Sequence, residues 1–462
     1  MRKESDRRER NIAILGCFFL SGAAGLVYQV AWAKALGLIF GHTVYAAAVV
    51  LAVFMAGLAS GSVYLSRWAK GHTNPVALYA RIEMLIAATG ALSLAGLAAV
   101  RSLYVIAYPV VSGSQIPLLA LRLLGVTAVL FIPTFLMGAT FPILVDGFSR
   151  SSANLGAGVS QLYWVNTLGA VAGTLIAGFV LLPTGGLRAT IGCAAAVNAL
   201  AGLIALLVSN ESRTAPPVKV LPRRVSPDRN TPQEFSFRVL LFLFAVVGGT
   251  AFAYEIAWTR LLAITIGSST YAFTLMLAAF LLGTVTGSAF FHRFFAGFRK
   301  ISITTFSRTQ IGIGMAALSS LVLFPSMAAI VPELLRNTGQ AFGGLVLTQF
   351  VVSALAMLPT AMIFGFNFPM VVVLLDRRDA GQSGTSVTVG KAYAANTMGC
   401  IVGAVVTGFW LVPWLGSFRV IGVAAATNLL LALVLDSRAP QRRLLHVAID
   451  LCCFVLAVVV GF

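Results

Sequence analysis

Hydrophobic runs long enough to cross a bilayer recur almost without interruption from residue 12 to residue 462, and this limits the fold more than any other feature. They fall at about 12–39, 42–66, 75–99, 115–146, 157–182 and 186–208. After a polar stretch they resume at 237–266, 269–292, 302–325, 342–375, 387–413 and 416–435, and a shorter run closes the chain at 444–462. Hydrocarbon offers no water to backbone N–H and C=O groups, so each run must form a helix that bonds its own backbone. About 20 apolar residues suffice for a core ~30 Å thick. A soluble domain has no interior large enough for a chain that is 59% hydrophobic and 10% charged. The expected class is an all-α polytopic membrane protein.

The polar stretch at 210–235 holds Pro216, Pro217, Pro222, Pro227 and Pro232 with five basic residues and no apolar period, which marks a linker. The chain is thus read as an N-terminal six-helix half (1–209), a cytoplasmic linker (210–235), a C-terminal six-helix half (236–436) and an extra C-terminal hydrophobic helix (437–462). The net charge of +18 invites a nucleic-acid reading that its distribution removes. When loops are assigned to alternate sides, 24 of the 32 Lys and Arg residues share the side of the N-terminus and five lie opposite. That bias puts the N-terminus in the cytoplasm and turns the basic charge toward anionic lipid, with no nucleic-acid partner. The tail MRKESDRRER leads into the first run without a small-residue cleavage site, so that run is expected to stay as a signal-anchor. Cys17, Cys193, Cys400, Cys452 and Cys453 show no CxxC spacing and are read as packing residues, with no metal or cofactor expected.

The two halves repeat. Residues 21–67 match residues 247–293 in one register, pairing Tyr28 with Tyr254, Trp32 with Trp258, Gly41 with Gly267, Gly57 and Gly61 with Gly283 and Gly287, and Arg67 with Arg293. A second block pairs Tyr163, Asn166, Gly169, Gly173 and Asn198 with Tyr393, Asn396, Gly399, Gly403 and Asn428. Pro133 and Phe141–Pro142 find Pro359 and Phe368–Pro369. Composition bias scatters Ala and Leu matches but does not align Tyr, Trp, Gly and Arg. Six helices separate equivalent positions, so the halves share one orientation. That is a major facilitator-like 6+6 parallel pseudo-repeat, in which a substrate site lies between the halves near mid-membrane.

The strings SGAAGLVYQVAWAKALGLIFGHTVYA, LPTAMIFGFNFP, YAANTMGCIVGA and TGGLRAT resemble the membrane portion of bacterial proteins that fuse a major-facilitator-type domain to a spermidine-synthase-like domain. The resemblance covers residues 12 to about 435. In such fusions an aminopropyltransferase-like domain follows the helices, whereas this sequence ends at Phe462. No transferase residue carries over, and no enzymatic activity is expected of the chain. The resemblance implies a bacterial inner-membrane location and a link to polyamine metabolism.

Of fourteen acidic residues only Glu83 and Glu255 lie well inside the twelve repeat helices, where an ionisable group is costly and a candidate for substrate binding; Glu83, closer to the cytoplasmic end, has snorkelling to the interface as its competing reading. Glu255 fills the slot of Gln29 within the matched pattern Tyr-[Gln/Glu]-x-x-Trp-x-[Lys/Arg]. Tyr28 and Trp32, like Tyr254 and Trp258, stand four apart on one helix face. An aromatic pair beside a carboxylate suits an amine cation. The competing reading makes the aromatics packing or belt residues and pairs Glu255 with Arg260, Lys34 or Arg81. Lys34 and Arg260, near the outer helix ends, are expected to anchor at the interface. Asn166 and Asn396 are expected to bond either substrate or a neighbouring helix. Arg67 and Arg293 stand where major facilitator proteins carry a basic loop motif, with Ser66 and His292 where an Asp is common. Asp146 and Asp376 are their candidate gating partners, with an ordinary surface ion pair as the competing reading.

The leading expectation is a secondary transporter of a small, cationic solute, a polyamine or an S-adenosylmethionine-related nucleoside by the resemblance. The alternative is a membrane scaffold that docks or feeds a spermidine-synthase-like partner. An intramembrane enzyme is disfavoured, since no HExxH, His/Asp pair or Ser/Lys dyad is visible.

Overall fold

A computed structural model describes residues 2–41, 44–70, 72–149, 155–211, 235–267, 269–295, 301–337, 341–379 and 384–436. They form α1 (Arg2–Phe40), α2 (Val44–Ala69), α3 (Pro75–Val111), α4 (Gln115–Ser149), α5 (Leu155–Ile176) and α6 (Leu182–Glu211). The second set is α7 (Phe237–Ile266), α8 (Thr270–Phe294), α9 (Ile303–Asn337), α10 (Phe342–Asp379), α11 (Thr385–Val406) and α12 (Val412–Asp436). Most of the expected linker, and the whole expected extra helix at 437–462 with Cys452 and Cys453, lie outside the described residues.

Ten stretches are long and apolar enough to cross a membrane, and two of them, Gly156–Ser209 and Thr385–Asp436, run to 54 and 52 residues. At 1.5 Å per residue such a stretch measures about 80 Å, far more than the ~30 Å core, so each must cross twice. The reversals sit at Gly186 (φ 65°) and Gly416 (φ 77°), left-handed positions that interrupt the helices. Contacts confirm the first turn. α5 runs parallel to α1, with Asn166 against Phe18 and Gly173 against Ala23. α6 runs antiparallel to α3, with Asn74 at Ser209 and Glu83 at Asn198. α3 itself runs parallel to α1, with Tyr79 at Cys17 and Trp32 at Ser93. The described residues therefore make twelve crossings.

Several helices overrun their expected spans. α1 begins at Arg2, α3 continues through Arg101 to Val111, and α9 reaches Asn337. A lone Arg ends a hydropathy run but not a helix, because its helix propensity is high. Ends are marked by local chemistry. Asn74 Oδ1 caps α3 through the Ala77 N–H at 3.1 Å, with Pro75 in the first turn. Gly41 (φ 87°) and Gly267 (φ 90°) end α1 and α7 at matched positions.

Lipid is as apolar as leucine, so helices associate through close packing and interhelical hydrogen bonds. A Cβ built on Gly61 or Gly138 would strike backbone of α4 or α2, and one on Gly287 or Gly365 backbone of α10 or α8. The same holds for Gly169 and Gly173 against α1, and for Gly399 and Gly403 against α7. The matched helix pairs therefore touch backbone to backbone. Cys17 and Cys400 are buried as expected of packing residues, whereas Cys193 is exposed on α6.

The helices whose chain starts or ends near the N-terminus of α1 meet at one end that carries Arg67, Lys70, Arg377 and Arg378, called here the basic end; Arg101, Arg122 and Arg188 mark the far end. The halves meet mainly along α2–α11 and α5–α8.

Replacing Gly399 by Val forces α11 off α7 and should lower the unfolding midpoint in detergent, at the ~1–3 kcal/mol typical of overpacking. Gly25→Ala, where a Cβ meets nothing within 4 Å, should leave the midpoint unchanged. Equal midpoints for the two variants would remove the close-packing argument.

Candidate functional site: the gap between the halves

Six aromatic rings on six helices close the space between the halves toward the basic end. Phe18 (α1), Phe141 (α4) and Tyr163 (α5) are matched by Phe244 (α7), Phe368 (α10) and Tyr393 (α11). Phe368 stacks on Tyr163 at 4.8 Å between centroids, meets Phe141 edge-on at 5.5 Å, and lies 6.0 Å from Phe244 and 6.1 Å from Tyr393. Phe18 stacks on Phe141 at 5.9 Å. Offset and edge contacts at such spacings are favourable beyond area burial. The alignment matched the two Phe-Pro pairs and the two tyrosines as repeat landmarks without assigning them a role; an aromatic kept in register in both halves was the available signal.

Nearer the basic end, small polar residues complete the closure twice. Ser62 donates to the Gly390 carbonyl oxygen at 3.2 Å, and Ser288 donates to that of Ser160 at 3.4 Å. A Cβ on Gly390 would meet Ser66, and His292 Nδ1 lies 3.1 Å from both Ser160 Oγ and the Ala157 carbonyl oxygen. Ser66 and His292, the two departures from the basic loop motif, are thus both in contact with the opposite half. Arg67 and Arg293 are exposed beside them, Arg293 over the Phe294 ring at 5.5 Å. Asp146 and Asp376 are part-buried near the ends of α4 and α10.

Phe18 and Phe244 identify the faces of α1 and α7 that look into the gap. Eleven residues are close to three helical turns, so Gln29 and Glu255 share those faces, about 16 Å farther along toward the far end. The stripe on α1 is Gly25, Gln29 and Ala33, and on α7 it is Ala251, Glu255 and Thr259, all partly exposed. The open space beside Gly25 lies on this face. Neither the Gln29 nor the Glu255 side chain has a hydrogen-bond or ion-pair partner among the described residues. The proposed ion pairing of Glu255 is not seen: Arg260 and Arg81 are exposed, and Lys34 Nζ lies 3.3 Å from Thr270 Oγ1. Lys34 therefore bridges α1 to α8 across the halves.

The expected aromatic walls belong elsewhere. Tyr28, Trp32, Tyr254 and Trp258 are completely buried inside their own halves. Each Tyr stacks on its Trp, at 4.8 Å and 5.1 Å. Trp32 Nε1 donates to Ser93 and Trp258 Nε1 to Ser320, both at 2.9 Å. Fixed to α3 and α9, these rings cannot also line the gap, because one step along a helix turns a side chain by about 100°. Asn166 and Asn396 donate to the carbonyl oxygens of Phe18 and Phe244 at 2.9 Å and 3.3 Å, so they tie α5 to α1 and α11 to α7. Glu83 also points into its own half, where Asn198 donates to it.

A groove of about 380 Å³ opens between α7, α11 and α12, lined by Gly249, Ala253, Met398, Val402 and Thr427 among others. It lies on the side of α7 opposite Glu255, and its exposed Val402 and Met398 suit lipid contact.

No family model matches the chain. Two curated proteins do match in part: a polyamine aminopropyltransferase of Corynebacterium efficiens, 26% identical over 197 residues, covers 42% of this chain and 34% of its own length. A polyamine aminopropyltransferase 1 of Streptomyces coelicolor, 28% identical over 213 residues, covers 46% of this chain and 37% of its own. The chain spans about a third of the length of these relatives. Among solved structures, a bacterial homologue of the iron transporter ferroportin, in an outward-facing state, superposes with a TM-score of 0.58 at 14% identity, over 93% of this chain and 99% of that one. The nucleoside transporter NupG superposes with a TM-score of 0.53 at 14% identity, over 93% and 98%. With the twelve crossings and the paired halves, these likenesses establish a polytopic membrane protein of the major facilitator fold.

Proposed function

We propose that the chain is a secondary transporter of a small cationic solute, bound in the gap between the halves with Glu255 as its charge-bearing group. The observation that carries this reading is the matched pair Gln29 and Glu255 on the gap faces of α1 and α7, without partners among the described residues. An unpaired carboxylate at membrane depth is expensive unless a cation or water reaches it. A mobile cation arriving in the gap answers that requirement, and a proton can replace it on the same carboxylate, which makes coupling to a proton gradient available. The structural relatives are named for carriers of a nucleoside and of iron, so this fold accommodates solutes of both kinds. The partial match to two polyamine aminopropyltransferases favours a polyamine, or an S-adenosylmethionine-related nucleoside, as cargo.

The basic bias favours a bacterial inner-membrane protein with a cytoplasmic N-terminus. In that orientation the aromatic closure faces the cytoplasm, and Arg67, Arg293, Asp146 and Asp376 lie where the halves would part to open inward. A second reading, a scaffold for a spermidine-synthase-like partner, is favoured by the enzyme names of the relatives whose length the chain only partly spans. It leaves the gap-facing carboxylate without a task.

In proteoliposomes, Glu255→Gln should weaken spermidine binding at least tenfold, about 1.4 kcal/mol or more, and leave the unfolding midpoint intact, since Gln29 is accommodated in the matching slot. Unchanged spermidine binding would sink the site, and absence of binding and uptake for spermidine, adenosine and S-adenosylmethionine alike would favour the scaffold. For the closure, Phe368→Ala removes the ring that four others touch and should cost about 3–5 kcal/mol of stability. It should also raise labelling of a Gln29→Cys probe by an impermeant maleimide applied at the basic end, with native cysteines replaced. Labelling equal to that of the parent would mean that the rings do not close the gap.

A further inference from the structure

Glu83 plays no part in the gap. It is fully buried within the first six helices and is faced by Cys17, Ser21 and Tyr28 of α1, by Tyr79 of its own helix and by Asn198 of α6. Of these neighbours Cys17, Tyr28 and Tyr79 are titratable, and none is a cation. No Lys, Arg or His pairs with Glu83 among the described residues. Asn198 Nδ2 donates to Glu83 Oε2. Three further oxygens in this part of the half, Glu83 Oε1, Asn198 Oδ1 and the Tyr28 hydroxyl, have no hydrogen-bond partner among the described residues, on side chains at most 1% exposed.

The other half holds the same arrangement in completed form. The equivalent bonds Trp32–Ser93 and Trp258–Ser320 set the register of α3 on α9, which brings Gln310 to the position of Glu83, as Asn428 stands for Asn198. There Asn428 Nδ2 donates to Gln310 Oε1 at 3.0 Å, and the Tyr254 hydroxyl donates to Asn428 Oδ1 at 3.1 Å. The neutral amide leaves none of these atoms without a partner, whereas the carboxylate at the equivalent point leaves three. A buried polar atom without a partner calls for an occupant, and an enclosed carboxylate without counter-charge is heavily penalised.

We propose that the Glu83–Asn198–Tyr28 cluster is a binding site for one monovalent cation, a proton or Na⁺, separate from the gap. The orphaned atoms are all oxygens, which a proton and a hard metal cation both accept as partners. One bound cation neutralises the carboxylate and gives the first half the charge state that Gln310 gives the second. The inference goes beyond the transporter reading and stands whether or not the gap binds a solute.

The test uses the full chain in lipid nanodiscs, with the unfolding midpoint followed in two titrations. One exchanges choline for Na⁺ at constant ionic strength and mildly alkaline pH. The other acidifies the sample in choline alone. A sodium site raises the midpoint in the first, and a proton site raises it only in the second. Glu83→Gln should lose the response that the parent shows and sit at the midpoint of the loaded parent from the start. A variant that responds like the parent, or a parent that responds to neither cation, overturns the proposal. Infrared spectra of the Glu255→Gln protein keep the test open if Glu83→Gln does not fold. A protonated-carboxyl band that fades on adding Na⁺ or on alkalinisation identifies the occupant, and a spectrum without that band together with no Na⁺ response again overturns it. Spermidine binding by Glu83→Gln, measured alongside, should match the parent's, which separates failure of this site from failure of the gap.

Discussion

Close approach of helix backbones is the interaction on which the rest of this structure depends. In lipid, burial of apolar side chains supplies no net drive between helices, so contact area and interhelical hydrogen bonds must do so. Glycines bring α2 onto α4, α1 onto α5, and their counterparts onto α10 and α11, to distances at which a Cβ would strike a neighbouring main chain. Asn166 and Asn396 then reach the carbonyl oxygens of Phe18 and Phe244 from close by. Because these contacts recur in both halves, they set the phase of α1 and α7, and that phase decides which residues face the gap.

Closure of the gap follows from the same phase. Phe18 and Phe244 are turned inward by their helices' contacts with α5 and α11, where Phe18 meets Phe141 of α4 and Phe244 meets Phe368 of α10. The Ser62–Gly390 and Ser288–Ser160 bonds join the two halves at the basic end, beside the contacts of His292 with Ser160 and Ala157.

The copies are most informative where they differ. At the gap slot the first half carries Gln29 and the second Glu255; at the internal slot the first carries Glu83 and the second Gln310. Glu and Gln have nearly the same shape, so each exchange changes charge while leaving packing intact. Across these two slots each half thus has one carboxylate, but in a different environment: one part-exposed in the gap, the other enclosed by Asn198, Tyr79 and Ser21.

Hydropathy, charge bias and the repeat register were enough to establish from the sequence a polytopic helical protein of two equivalent six-helix sets, because lipid admits no other solution for such runs. The two candidate carboxylates were likewise legible, since an ionisable residue in an apolar helix is conspicuous. Where side chains point was not legible. Tyr28 and Gln29 are adjacent in the chain, yet one is buried against α3 and the other looks into the gap. The contacts of α1 with α3, α5 and α6 fix its rotation, and a difference of about 100° between neighbours separates a packing ring from a gap-facing amide. The six-ring closure required tertiary structure for the same reason: its members come from six helices, and only their assembly brings them together.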